Sequence, residues 1–334
     1  MTTSLKTSTL KDVAHEAGVS LATASQVLNG RKRYSPDVEA RVAAAAERLA
    51  YQPNPHARTM ITGRTNTVGL VILDISNPFF SAIINGANQE STRRGFNLLL
   101  ADAQVRGERE HALHHTLAPS IDGLLLGSST LTDDEITVLA RRQPTVVIAR
   151  DPGQGVISVI NDARNTHAQL TRHLIGLGCR RVAYLNGPPL WTNRERRQGY
   201  LDALNEAGLP PLEATLPMLY QEGGAAVAPE LLFGPDPPDA VVAFDDLAAI
   251  GFMTMARQLG FRVPEDVAVA GAGNLPLTDL IQPSLTTVDT DTFELGRRAM
   301  QALLDGIEGQ GAPQSPIIVK ARLVIRASTG RKAP

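Results

Sequence analysis

A chain of 334 residues with a net charge of −2, 43% apolar, 20% charged and 4% aromatic is too long for one ordinary domain and comfortable for two or three. No run approaches the ~18 consecutive apolar residues of a membrane-spanning helix, and the opening stretch MTTSLKTSTLKDVAHEAG has no apolar signal region, so no secretory leader is expected. The single cysteine, Cys179, excludes an internal disulfide framework and fits a reducing, cytoplasmic setting.

In chain order, residues 9–50 read as three short helices. Thr9 precedes LKDVAHEA, whose apolar face is Leu10, Val13, Ala14 and Ala17, with Asp12 and Glu16 outward and Gly18 as the terminating glycine. Ser20 can cap the next helix, LATASQVL, which carries Leu21, Ala24, Val27 and Leu28 and stops at Asn29-Gly30. Ser35-Pro36 opens a third, with proline at the first helical position and Val38, Val42, Ala45 and Leu49 inward. Residues 52–67 are polar and proline-marked, which predicts a linker. From Val68 onward, seven short β-branched runs (68–73, 96–102, 123–128, 145–150, 181–187, 240–244 and 266–272) alternate with amphipathic helices. That alternation predicts parallel sheets covered by helices, and seven runs favour two lobes. The histidines His111, His114 and His115 read as a solvated helix face, with no cysteine or HExxH pattern beside them to make a metal site.

Charge is unevenly placed. Residues 1–64 hold nine Lys/Arg against five Asp/Glu, the remainder 23 against 29. A basic head on an acidic body is the pattern of a DNA-binding head with a separate regulatory body. The string Val13-Ala14, Gly18-Val19-Ser20, Thr23 and Ser25 meets the needs of a helix-turn-helix: a small residue at the crossing, a turn residue tolerant of positive φ, and apolar residues locking the pair. The second helix then offers Leu21, Ala22 and Gln26 to a major groove. Thr23, Ser25 and the amides around Ser20 can hold phosphates.

With the rest of the chain, these residues resemble the lactose-repressor/galactose-repressor (LacI/GalR) family. The match includes TLKDVAHEAGVSLATASQVLNG, Tyr51-Gln-Pro-Asn-Pro-His-Ala-Arg, Asp74-Ile-Ser-Asn-Pro-Phe-Phe and Gly187-Pro. It continues through Arg196-x-x-Gly199-Tyr200, Asp245-Asp246-x-x-Ala249-x-Gly251, Leu259-Gly-Phe-Arg-Val-Pro-Glu-Asp-Val, Gln282-Pro-Ser-Leu-Thr-Thr-Val and Leu323-Val-Ile-Arg-Ala-Ser-Thr. The resemblance implies an all-α helix-turn-helix head at 1–51, a hinge at 52–66, and a periplasmic-binding-protein-like α/β body of two Rossmann-like lobes at 67–330. The first lobe is expected at about 67–158 and 290–318, the second at about 159–289 and 319–330. It also implies that Leu21, Ala22 and Gln26 read bases, the first two by apolar contact and Gln26 by pairing with adenine or, alternatively, by facing phosphate or water. Arg31, Lys32 and Arg33 are read as phosphate contacts or a solvated loop. Asn29 and Asn54 complete the DNA-contact set, and the hinge places Met60 as an apolar minor-groove wedge with Ala57 and Arg58 beside it.

For the body, the resemblance implies a small-molecule effector between the lobes, with Phe79 and Phe80 as pocket walls, Arg196 as a ligand-binding arginine and Asp245 as a polar pocket position; Asp246 can instead cap a helix. Three positions where the family places Asp or Asn, at Gly127, Ala149 and Gly273, lack a polar side chain here. With Arg150 and Arg196 remaining, the expected ligand is a sugar or sugar derivative that is larger than a simple hexose or bears an acid or phosphate group. Without GxxxxGK[ST], GxSxG or HExxH, neither an enzyme nor a cofactor or metal is expected. A homodimer on a near-palindromic operator follows from the small footprint of one head, and the absence of a terminal leucine heptad argues against a tetramer. The reading is an effector-controlled repressor away from any membrane; the alternative is a solute-binding protein of a transport system built on the same lobes.

Overall fold

The computed structural model describes residues 8–28, 32–51, 64–153, 155–311 and 316–330. It divides into two compact units, Met1–Thr65 and Asn66–Pro334, which are taken in turn.

The first unit contains three helices, α1 (Leu10–Ala17), α2 (Leu21–Leu28) and α3 (Pro36–Arg48). Helix α1 begins in a reciprocal cap: the Asp12 carboxylate accepts from the Thr9 amide at 2.8 Å while the Thr9 hydroxyl faces the Asp12 amide. Asp12 therefore closes the helix end rather than standing free. Gly18 ends α1 at φ 63°, a left-handed position cheap only for glycine. The core is small: Val13, Ala14, Ala17, Ala24, Val42 and Ala45 are buried, with Val19, Val27, Val38 and Leu49 packed around them.

The second unit carries two lobes. In the first lobe, β1 (Thr67–Ile72), β2 (Asn97–Asp102), β3 (Gly123–Gly127), β4 (Thr145–Ile148), β5 (Ile157–Asn161) and β11 (Ile317–Val319) form one parallel sheet in the order β11-β5-β4-β3-β1-β2. Strand β5 lies wholly in this sheet, so the lobe continues past 158 to Asn161, and Val319 pairs beside it. Helices α4 (Pro78–Arg93), α5 (Gly107–Leu117), α6 (Asp133–Arg142) and α11 (Thr292–Ile307) accompany the sheet. Two apolar clusters hold strands and helices together, one joining Leu70, Ile72, Leu125 and Ile148 to Ile83 and Met300, the other joining Val71, Leu124 and Leu126 to Ile136. Each such fully buried side chain contributes about 1.5–3 kcal/mol of transfer free energy.

The second lobe has a four-stranded parallel sheet, order β7-β6-β8-β9, from β6 (Val182–Asn186), β7 (Leu212–Thr215), β8 (Ala240–Ala243) and β9 (Ala268–Ala270). It is flanked by α7 (Ala163–Gly176), α8 (Trp191–Glu206), α9 (Tyr220–Phe233) and α10 (Asp246–Gln258). An antiparallel pair, β10 (Thr287–Asp289) with β12 (Arg322–Val324), completes the body. Cys179 is fully buried in this lobe. No helix among the described residues is long and apolar enough to cross a membrane.

The histidine-rich helix differs from its expectation. Glu110 and His114, one turn apart on α5, are both buried. The Glu110 carboxylate accepts from the Thr130 amide and hydroxyl at 2.9 and 2.8 Å, which turns that face inward. Burial holds His114 below the usual imidazole range, with His115, Arg142 and His111 adding to the effect. His111 stays at the surface, 2.9 Å from Glu135.

Candidate functional site

In the head, Leu21 is 51% exposed and Ala22 is also open, so the first turn of α2 presents an apolar surface. Ser20 is engaged locally. Its hydroxyl accepts from the Thr23 amide at 3.0 Å and lies 2.9 Å from the Thr23 hydroxyl, which makes it the cap of α2. Thr23 and Ser25 are half-buried. Gln26 is also half-buried, and its side-chain oxygen accepts a 2.5 Å hydrogen bond from the Tyr34 hydroxyl. Pairing with adenine needs that oxygen for N6 and the amide group for N7. Tyr34 holds that oxygen in the structure, a contact eight residues distant that no sequence pattern indicates. Lys32 lies over the Tyr34 ring at 5.6 Å. Asn29, Arg31, Asn54, Ala57, Arg58 and Met60 lie outside the described residues.

In the body, a cleft opens at the C-terminal ends of the strands of both lobes, where doubly wound sheets place their ligands. The first lobe contributes Leu73, Asn77, Phe79, Phe80, Val105 and Ser128, the second Leu190, Thr192, Arg196, Tyr220, Phe244, Asp245, Gly273 and neighbours. The Asn-Pro-Phe-Phe run explains its own placement. The Asn77 side chain caps α4 by accepting from the Phe79 amide at 2.9 Å, and Pro78 occupies the first turn. Phe79 and Phe80 then meet edge to face, ring centres 5.3 Å apart, at the cleft wall.

Arg196 is held from below. Tyr184, buried in β6, donates to Asn193 at 2.8 Å, and Asn193 donates to Asn186 and Gly187 at 2.8 and 3.1 Å, which fixes the first turn of α8. Arg196, one turn on, is 4% exposed. It donates to the Phe244 carbonyl at 2.5 Å and lies 5.1 Å from the Phe244 ring centre, while its Nε has no partner in the structure. Burial lowers its pKa, opposed by Tyr184, Asp245 and Asp246. Asp245 lines the cleft and caps α10, accepting from the Ala248 amide at 2.8 Å. Burial raises its carboxyl above the usual range, against the Ala248 and Leu247 amides and the Arg196 charge. Capping thus falls to Asp245, whereas Asp246 is fully buried behind it.

Arg150 is placed differently from its expectation. Its guanidinium donates to the Ser129 carbonyl at 2.8 Å, to the Leu131 carbonyl and to Asp133 at 2.6 Å. These bonds fasten it to the β3–α6 loop, and it is not among the cleft-lining residues. Of the three non-polar positions, only Gly273 is among the cleft-lining residues; Gly127 and Ala149 are buried directly behind the wall.

Two hydrogen bonds span the cleft. Tyr220 donates to Asp74 at 2.6 Å, and Thr192 donates to the Ala149 carbonyl at 2.6 Å. Neither Tyr220 nor Thr192 stands out in the sequence; the only signal is an aromatic residue at the start of a helix beside an apolar Leu216–Leu219 run. Among the described residues, no group of three or more His, Cys, Asp or Glu side chains is arranged to hold a metal ion.

A helix-turn-helix head joined in one chain to a two-lobed body with a cleft defines a transcription regulator with a sensory domain. Residues 9–54 match the model for bacterial regulatory proteins of the lacI family, and residues 171–329 match the periplasmic binding protein-like domain. The HTH-type transcriptional repressor CytR of Escherichia coli is 32% identical over 330 residues, 96% of both chains. The HTH-type transcriptional regulator CelR of Thermobifida fusca is 34% identical over 334 residues, covering 96% of this chain and 98% of the relative. Among solved structures, the lac repressor dimer bound to operator and the anti-inducer ONPF superposes with a TM-score of 0.88 at 25% identity, covering 97% and 99% of the two chains. A CelR–cellobiose complex superposes at 0.71 with 32% identity, covering 96% and 99%. The chain belongs to the LacI family of transcriptional regulators.

Proposed function

We propose that this regulator represses transcription as a homodimer on a near-palindromic operator, and that a sugar or sugar derivative in the interlobe cleft sets its operator affinity. Leu21, Ala22 and Gln26 read base edges, with Ser20, Thr23 and Ser25 against phosphates. Asn29, Asn54 and the hinge residues Ala57, Arg58 and Met60 complete the contact set. One head presents too few base contacts for strong discrimination, so two are needed. The protein works in the cytoplasm and catalyses nothing.

The observation that carries the effector reading is the lining of the cleft: Phe79, Phe80, Tyr220 and Phe244 as aromatic walls around one buried arginine and one carboxylate, Arg196 and Asp245. Aromatic faces suit the C–H face of a sugar ring, and a facing pair of opposite charges suits neutral hydroxyls. Because Arg150 is occupied elsewhere, the cleft lacks the positive excess that would favour an acid or phosphate. A neutral oligosaccharide is therefore the favoured ligand, and CelR, solved with cellobiose, is a relative consistent with it. The test pairs a selection from random duplexes with a thermal-shift screen of cellobiose, glucose and glucose 6-phosphate. A palindromic consensus and stabilisation by the neutral sugars support the reading. Absence of any duplex preference at moderate salt overturns it, and stabilisation by the phosphate ester alone overturns the neutral assignment.

A further inference from the structure

We infer that Tyr220 and Asp74 form a clasp between the lobes that closes the cleft to small molecules until their hydrogen bond is broken. The inference deepens the reading of this cleft as the effector site and concerns how the site is opened.

The two partners belong to different lobes. Asp74 follows β1, in the first. Its Oδ1 accepts from the Ser76 amide at 2.9 Å and hydroxyl at 2.7 Å, which fixes the carboxylate and leaves Oδ2 for the other lobe. Tyr220 is the first residue of α9, in the second, and its hydroxyl meets Oδ2 at 2.6 Å. Burial and the Asp74 bond both raise the phenol's pKa, so it remains a donor throughout the physiological range. Burial raises Asp74, but the Tyr220 and Ser76 bonds outweigh it and leave the carboxyl below its ordinary value, an acceptor over the same range. A hydrogen bond to an ionised group is of the stronger kind.

Backbone geometry on both sides of the cleft points the same way. Tyr220 sits at φ 61° and Ala149, the acceptor for Thr192, at φ 59°. Each interlobe bond thus includes a non-glycine residue in the left-handed region, a cost that persists only where surrounding contacts hold it and that gathers at clamps and switches. The cleft, lined by Tyr220 and Thr192, holds a cavity of only about 70 Å³. Sites for small ligands run from about 300 Å³ upward, so a sugar ring enters only after the lobes part. The clasp then acts as a conformational tax: apparent affinity falls by the fraction of molecules with the cleft open.

The chain supplies its own reporter. Trp191 is its single tryptophan, half-buried at the start of α8 and adjacent to Thr192. Acrylamide, a small neutral quencher, probes its accessibility in the full-length dimer without any effector. Tyr220→Phe and Asp74→Ala each remove the same bond, so each is expected to raise the open population by about tenfold and to increase the quenching constant. The double variant is expected to match either single one. Glu222→Gln, exposed on the same helix, serves as control and is expected to leave quenching unchanged. Far-UV dichroism and the urea midpoint identify a variant that fails to fold, in which case the other single variant carries the comparison. Unchanged quenching in a folded Tyr220→Phe or Asp74→Ala protein overturns the clasp, as do additive effects in the double variant. Operator selection is scored separately, so a clasp that fails leaves the regulator reading intact, and the reverse also holds.

Discussion

The Thr287 hydroxyl donates a 2.5 Å hydrogen bond to Asp246 Oδ1, and the Leu275 amide donates to Oδ2 at 2.9 Å. Both donors are buried, and together they fasten the cleft-floor loop and β10 to the start of α10. Burial pushes Asp246 up to about 6 from 3.8, with the Thr287 and Leu275 bonds pulling the other way. The folded state therefore holds a proton between about pH 4 and 6 that the unfolded chain has released. Unfolding free energy must fall as pH rises through that window, by about 3 kcal/mol from this group. Urea titrations at pH 4, 5, 6 and 7 are expected to show the fall in the wild type and a flatter profile in Asp246→Asn. Parallel profiles for the two proteins would contradict the assignment.

The bond between Tyr34 and Gln26 makes a distinct prediction for the head. If Gln26 swings away from Tyr34 to pair with adenine on the operator, the free protein holds a bond that the complex lacks. Tyr34→Phe is expected to tighten specific operator binding by up to about tenfold, the size of one net hydrogen bond. Gln26→Ala is expected to lose about 1–3 kcal/mol of discrimination at a single base pair. Fluorescence anisotropy on the selected operator and its single-position variants measures both. Equal affinity of Tyr34→Phe and wild type across those duplexes would sink the swing away from Tyr34, and undiminished discrimination in Gln26→Ala would sink the adenine-pairing role.

How much of this was legible beforehand depended on the range of the interaction involved. All seven apolar runs contain strands, because parallel strands covered by helices need a near-continuous apolar composition locally. Five strands among the described residues escape that pattern: Ile157–Asn161, the edge strand Leu212–Thr215 reading LEAT, and Thr287–Asp289, Ile317–Val319 and Arg322–Val324, of three residues each. The pairing of the last three comes from chain returning between lobes, which no local pattern encodes. Phe79, Phe80, Arg196 and Asp245 come together in the cleft as their motifs suggested. Arg150 does not, since its partners are carbonyls of Ser129 and Leu131, about twenty residues earlier. His114 failed as a solvated residue for a related reason: Thr130, from another loop, turns its helix face inward through Glu110.

Arg196 offers a way to separate sensing from DNA recognition. Its replacement by Met keeps an unbranched, flexible side chain but leaves the Phe244 carbonyl without its donor. An orphaned buried acceptor costs about 1–3 kcal/mol, so the urea midpoint is expected to drop modestly. Operator affinity in the absence of sugar is expected to stay near wild type, while any response to a stabilising sugar is expected to vanish. A full sugar response in Arg196→Met would remove this arginine from the effector site.

Two glycines of the first lobe test whether close helix approach or chain flexibility sets residue choice. Where α4 crosses α11, a Cβ on Gly86 would lie 2.0 Å from the Phe293 carbonyl oxygen and 2.9 Å from the Arg297 nitrogen. Those are backbone atoms of the neighbouring helix, so relief requires the whole pair to separate and Ile83 and Met300 to lose packing. Gly86→Val is expected to destabilise by at least the ~1–3 kcal/mol typical of overpacked cores. Gly306, near the end of α11, has nothing within 4 Å of the same virtual atom. There, Gly306→Ala removes backbone freedom from the unfolded chain without a clash, and a gain of about 0.5–1 kcal/mol is expected. Urea midpoints for the two variants should therefore move in opposite directions from wild type. A neutral Gly86→Val would mean that the α4–α11 contact is looser than the distances describe.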